Sequence, residues 1–136
     1  MKTFRLEILT PFGEYLTINV DYLRVQSSRY RLGILPEHAP LVSSLIASEI
    51  AFKSGSKEEI FATSGGIIKV DKEKVTLLLD SIERVDEIDY SRAKDAQNRA
   101  ESRLKNSKDE EEIKQAQRAL ERAKNRIAIY ERNRRE

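Results

Sequence analysis

The chain contains no cysteine and no tryptophan, a single histidine and a single methionine, and aromatic residues make up only 7% of it. The missing cysteines exclude a disulfide framework, a thiolate zinc site and a cysteine nucleophile together, and fit a reducing compartment. One histidine, His38, builds neither a metal cluster nor a Ser-His-Asp triad. Set between Pro36 and Pro40, it reads as a structural or interface residue. No apolar run approaches the roughly 20 residues that span a bilayer, and Met1-Lys2-Thr3-Phe4-Arg5 lacks the apolar stretch of a secretion signal. The expectation is a soluble protein without direct membrane insertion. No glycine-rich loop leads into Lys-Ser/Thr, since Gly65-Gly66 runs into Ile67-Ile68. Carboxylate pairs such as Glu58-Glu59 fall in a turn between strands, where solvated charge is the plain reading. By itself the chain reads as no enzyme, with no catalytic residue and no metal site.

Glycine and proline are absent from one half. All five Gly and all three Pro lie at or before Gly66 in a chain of 136 residues. Residues 1–87 hold 11 Lys+Arg against 13 Asp+Glu, whereas residues 88–136 hold 14 against 10. A length of one or two small domains, written in two styles, places a domain boundary near Asp86-Glu87-Ile88. The expected domains are 1–86 and 87–136.

The first style is β. Phe4, Leu6 and Ile8 alternate with polar residues, as do Leu16, Ile18 and Val20, and Leu23 with Val25 opens a third run. Short apolar runs follow at 32–35, 50–52, 60–62, 67–70 and 75–79, the last two split by the polar turn Asp71-Lys72-Glu73-Lys74. Close spacing with Gly/Pro punctuation predicts an antiparallel all-β sandwich. Parallel βαβ units need crossover helices, for which there is no room.

The second style is helical. Ile113, Ala116, Leu120, Ala123, Ile127 and Tyr130 step by three and four, one narrow seam for a single neighbouring helix. Ala93, Ala96, Ala100 and Leu104 make a similar seam upstream. Asp89 suits an N-cap, with Ile88 and Ala93 as a hydrophobic staple. Asn106-Ser107-Lys108-Asp109 interrupts the pattern, and either Ser107 with Glu110 or Asp109 with Glu112 offers the next capping box. The prediction is an antiparallel αα-hairpin with a thin, alanine-rich interface.

Arginines stand out on these helices. Lys114, Arg118, Arg122 and Arg126 recur at steps of four, and Arg122 and Arg126 have no acid three or four residues away in sequence. Arg92, Arg99 and Arg103 share a face upstream. Two cationic rows beside a narrow seam suit an anion held between the helices. A solvated charged face explains the same spacing. Nucleic acid is a third reading, disfavoured by a net charge of +2 and scattered acids.

The run Leu32-Gly33-Ile34-Leu35-Pro36-Glu37-His38-Ala39-Pro40-Leu41 resembles the GILPGHAPL signature of the ε subunit of F-type ATP synthases. Ser64-Gly65-Gly66, Glu83-Arg84 and Ile88-Asp89-x-x-Arg92-Ala93 continue the resemblance in order along the whole chain. It implies a rotor subunit: a sandwich docked on the γ subunit and the membrane rotor ring, and a hairpin that rises along γ toward the catalytic α/β subunits and blocks ATP hydrolysis. It also implies a peripheral place on the cytoplasmic face of a bacterial cell membrane. Tyr30, Arg31, Glu37 and His38 fall where the family meets the ring or γ. The family commonly has Gly-Glu where Tyr30-Arg31 stand and Gly where Glu37 stands.

Some bacterial relatives bind ATP in the folded hairpin, without hydrolysing it, through an Ile/Leu-Asp-x-x-Arg-Ala motif. Residues 88–93 match it at every specified position. The resemblance then assigns Glu83, Ile88, Asp89 and Ala93 to the adenine, and Arg92, Arg99, Arg122 and Arg126 to the phosphates. ATP, with or without magnesium, is implied as a regulatory ligand rather than a required cofactor. A basic inhibitory arm without nucleotide sensing is the alternative within the family.

Overall fold

The computed structural model describes residues 2–134 and divides into two compact units after Arg84. The first unit holds β1 Phe4–Thr10, β2 Gly13–Val20, β3 Tyr22–Gln26, β4 Arg31–Ile34, β5 Leu41–Leu45, β6 Ser48–Ser54, β7 Lys57–Thr63, β8 Gly66–Val70, β9 Lys74–Leu79 and β10 Ile82–Arg84. The second opens on a single 3-10 turn, Val85–Glu87, followed by α1 Tyr90–Asn106 and α2 Glu110–Asn133. An all-β sandwich followed by a helical hairpin is therefore the fold, as the sequence predicts.

The strands form two five-stranded sheets, β2-β1-β9-β8-β5 and β10-β7-β6-β3-β4. Alternation decides what lies inside. Leu6, Ile8, Val20, Leu23, Val25, Ile50, Phe52, Phe61, Ile68 and Leu77 are at most 1% exposed. Each such side chain contributes about 1.5–3 kcal/mol on full burial. Phe52 and Phe61 stack at 5.3 Å between ring centres. Where β7 passes into β8, Gly65 and Gly66 have φ of +117° and +157°, and a Cβ on Gly66 would overlap the Leu78 carbonyl. Only glycine fits that crossing.

One pairing departs from the antiparallel expectation. β1 runs parallel to β9, with Arg5 opposite Lys74 and Leu9 opposite Leu78. No crossover helix is needed, because the intervening strands themselves carry the chain back. Two strands lie outside the predicted runs. β5 turns Ser43 inward and exposes Val42, which inverts the usual alternation. β10 is a three-residue edge strand paired with β7.

In the second unit Asp89 caps α1, its Oδ1 accepting from the Arg92 backbone N–H at 3.1 Å. Ile88 and Ala93 are both buried, as a staple requires. Ser107 ends α1 in an extended conformation. Asp109 then caps α2 by accepting from the Glu112 N–H at 3.2 Å, so the second of the two possible caps is used. The short link folds α2 back along α1, and Tyr90 stacks on Tyr130 near the far ends. Ala93, Ala100, Ala116, Ala123 and Ile127 are buried, as is Ile129, one position off the seam. Alanine removes little area from water, so the seam is close but weakly stabilising.

Candidate functional site

Helix geometry gathers the predicted arginines. Arg92 and Arg99 each precede a buried alanine of α1, while Arg122 and Arg126 precede the buried Ala123 and Ile127 of α2. One residue is a rotation of about 100°. In antiparallel helices, that backward step leads to the same flank of the seam from both sides. The other flank, one step forward, carries Lys94, Gln97, Glu101, Gln117, Glu121 and Lys124, a mixture of signs. The arginine flank also carries Asp95, between Arg92 and Arg99, and Glu112 near the link, so both flanks hold acids and what distinguishes this one is its arginines.

Height along the hairpin matters as much as flank. Counting inward from the Tyr90–Tyr130 stack, Arg92 falls within about one turn of Arg126, and Arg99 within about one turn of Arg122. Arg103 shares the flank but lies roughly 16 Å from Arg92 toward the link. Arg92, Arg99 and Arg122 are exposed and Arg126 is half-buried. Among the described residues no ion pair engages Arg92, Arg99 or Arg122. Asp95 lies one turn from both Arg92 and Arg99, and the four arginines leave this stretch of the flank net positive.

The motif residues surround the start of α1. Asp89 is exposed, with one carboxylate oxygen engaged by the cap. Ile88 is 6% exposed and Ala93 fully buried, so the Ala93 methyl serves the close approach of the helices. Glu83 lies half-buried on β10 of the first unit, opposite Ala62 of β7.

The signature loop forms a second candidate region. Ser27 organises its approach: its Oγ accepts from the Arg29 and Tyr30 N–H groups and donates to the Tyr30 carbonyl at 2.9 Å. Tyr30, 62% exposed, then presents its ring at the start of β4 beside Arg31. Glu37 and His38 follow the other end of β4, in a turn closed by the His38 N–H on the Leu35 carbonyl. The structure thus places the two pairs at opposite ends of a strand about 10 Å long. Pro36 and Glu37 hold the central positions of that turn, and Glu37 has a φ of 69°. This is the type II geometry that favours Pro-Gly. Lys2 donates to Glu37 at 2.8 Å and, chiefly through that hydrogen bond, holds the carboxyl below its usual pKa. The same contact raises the Lys2 pKa.

A feature outside the predicted residues lies on the outer face of the first sheet. Leu9, Leu78 and Ile67 stand opposite one another across β1, β9 and β8. Ile67 pairs with Ser44 of β5, two residues from the exposed Val42. Leu78 and Ile67 are exposed and Leu9 is half-buried at the end of this apolar row. Its sequence signal is the unbroken apolar run at 77–79 and the doublet Ile67-Ile68, which supply both faces of a strand. Among the described residues no three His, Asp or Glu side chains converge as a cation site, and no helix is long and apolar enough to cross a membrane.

Residues 3–85 match the family described as ATP synthase, Delta/Epsilon chain, beta-sandwich domain, and residues 86–131 match the corresponding long alpha-helix domain. The chain is 40% identical over 130 residues to the ATP synthase epsilon chain of Desulforamulus reducens, across 96% of this chain and 98% of that one. It is 39% identical over 132 residues to the ATP synthase epsilon chain of Staphylococcus aureus, across 96% and 98%. Among solved structures it is similar in fold to a chain of the Euglena gracilis mitochondrial ATP synthase OSCP/F1/c-ring assembly, with a TM-score of 0.82 at 22% identity over 93% of this chain and 80% of that chain. A chain of the Tetrahymena thermophila mitochondrial ATP synthase central stalk and c-ring matches 63% of this chain and 69% of its own length, with a TM-score of 0.56 at 15% identity. Two family domains in the right order, and close to 40% identity along nearly the whole length, make this chain a member of the ATP synthase delta/epsilon family and, within it, of the epsilon chains.

Proposed function

We propose that this chain is a non-catalytic rotor subunit in the central stalk of an F-type, proton-translocating ATP synthase, and that its hairpin is an ATP-sensing brake. The sandwich couples the γ subunit to the membrane rotor ring. The apolar row of Leu78 and Ile67, continued by the half-buried Leu9, and the polar tips at Tyr30-Arg31 and Glu37-His38 supply surfaces of two chemistries for two protein partners. The subunit is peripheral, on the cytoplasmic face of a bacterial membrane, and reaches the bilayer only through the ring. When extended, the hairpin meets the catalytic α/β subunits and stops ATP hydrolysis. When folded, it binds ATP without hydrolysing it.

The observation that carries the sensing reading is the convergence of Arg92 and Arg99 with Arg122 and Arg126 on one flank of a thin seam. ATP supplies the negative charge between them, and its phosphates bridge both helices. A charge-assisted hydrogen bond contributes about 1.5–3 kcal/mol, so a few outweigh the alanine contacts. Any magnesium arrives on the phosphates. Because ATP binds only the folded form, a concentration one hundred times its Kd favours that form by about 2.7 kcal/mol.

Calorimetry of the isolated protein with ATP tests this reading. Arg92→Ala and Arg126→Ala should each weaken binding about tenfold or more, the scale of one lost contact. Arg103→Ala, farther along the flank, should change affinity little, and AMP should bind much more weakly than ATP. No binding by the parent at millimolar ATP leaves a plain inhibitory arm.

A further inference from the structure

The mouth of the hairpin is closed differently from its seam. Along most of α1 and α2 the helices meet through alanines, but at the open end Tyr90 and Tyr130 stack with ring centres 4.8 Å apart and planes 27° from parallel. The Tyr90 hydroxyl donates to Glu131 Oε2 at 2.6 Å, and the Lys94 ammonium lies 5.5 Å from the centre of the Tyr90 ring. Both tyrosines are half-buried. Tyr90 is the first residue of α1, directly after the cap Asp89 and two before Arg92. Tyr130 is one helical turn beyond Arg126.

From this we infer that the Tyr90–Tyr130 pair is a positioning clasp, closing the hairpin mouth before any nucleotide arrives and setting the gap across which Arg92 and Arg126 face each other. The physical argument is one of location. A helix pair joined at one end and meeting largely through alanines splays most readily at the other, where lever length is greatest, and the Ile127 and Ile129 side chains buried near that end add apolar area that fixes no orientation. A stacked ring pair with a carboxylate hydrogen bond resists that motion in both distance and rotation. Binding then meets a preformed gap and does not have to order it. The closing role stands on its own geometry. The positioning role rests on the ATP reading above.

The absence of native cysteine makes the test direct. Spin labels on Ser91→Cys and Arg134→Cys in the full chain report the mouth distance without nucleotide. The parent should give one short distance, Tyr130→Phe the same, and Tyr130→Ala a broad, longer distribution with the closed fraction reduced at least tenfold relative to the open one. Tyr90→Phe, which keeps the stack and loses the hydrogen bond to Glu131, should fall between them, and covers the case in which Tyr130→Ala loses its helices. An unchanged distance in Tyr130→Ala with helicity intact overturns the clasp, as does a Tyr130→Phe mouth as wide as that of Tyr130→Ala. In calorimetry Tyr130→Ala should weaken ATP binding about tenfold, while Tyr130→Phe stays within about twofold of the parent. An open mouth with unchanged ATP affinity overturns the positioning role. If the parent itself binds no ATP, the nucleotide reading and the positioning role fall together, and the closing role is decided by the distances alone.

Discussion

Glu37 holds a left-handed backbone, φ 69°, at the third position of the Leu35–His38 turn. A side chain there is strained by its Cβ, whereas glycine adopts the geometry freely. The gain from glycine is partly offset by its greater freedom in the unfolded chain. Glu37→Gly should therefore raise the melting temperature by a few degrees, and Glu37→Ala, which keeps the Cβ, should not. The advantage has a pH dependence of known sign. Lys2 lowers the Glu37 pKa in the folded state, so that contact stabilises above the usual carboxylate range and is lost as pH falls through the folded value. The glycine variant never had the contact, so its lead over the parent should widen below about pH 4. Scanning calorimetry at pH 7 and pH 3.5 checks both statements.

Both sheets of the sandwich are complete by Arg84, with β10 paired along β7. A chain truncated after Asp86 should accordingly show β-type circular dichroism, a cooperative melt and retained binding to γ. Loss of the melt would mean that the hairpin is needed to complete the core. The helices were the most legible elements, because a three-four seam and two aspartate caps each act locally, and Asp89 and Asp109 sit where their acceptors are needed. Strands with clean alternation, β1 and β3 among them, were equally plain. β5 was not, since Ser43 faces inward while Val42 faces solvent. Nor was the β1–β9 pairing, whose two strands are matched only through long-range register. For the candidate site, spacing identified the arginines, but their shared flank needed the antiparallel turn. The Tyr90–Tyr130 stack was hidden for a related reason: the pattern marked Tyr130 as an ordinary seam residue and said nothing of Tyr90.

At the scale of the whole molecule, two units of different construction invite two different losses. In the assembled enzyme, deletion of residues 88–136 should raise ATP hydrolysis or abolish its latency while the rotor still assembles. Steady-state hydrolysis by the truncated and parent complexes decides it, and equal rates would mean that the tail does not inhibit. The parallel pairing of β1 with β9 also bears on how the chain is made. Arg5 leaves the ribosome long before Lys74, the residue it will face. At roughly 5–20 residues per second, the β1–β2 ribbon, finished at Val20, waits about 3–12 s for β9 to end at Leu79. Leu6 and Ile8, destined for complete burial, spend that interval uncovered on a nascent chain, where a holding chaperone would find its target.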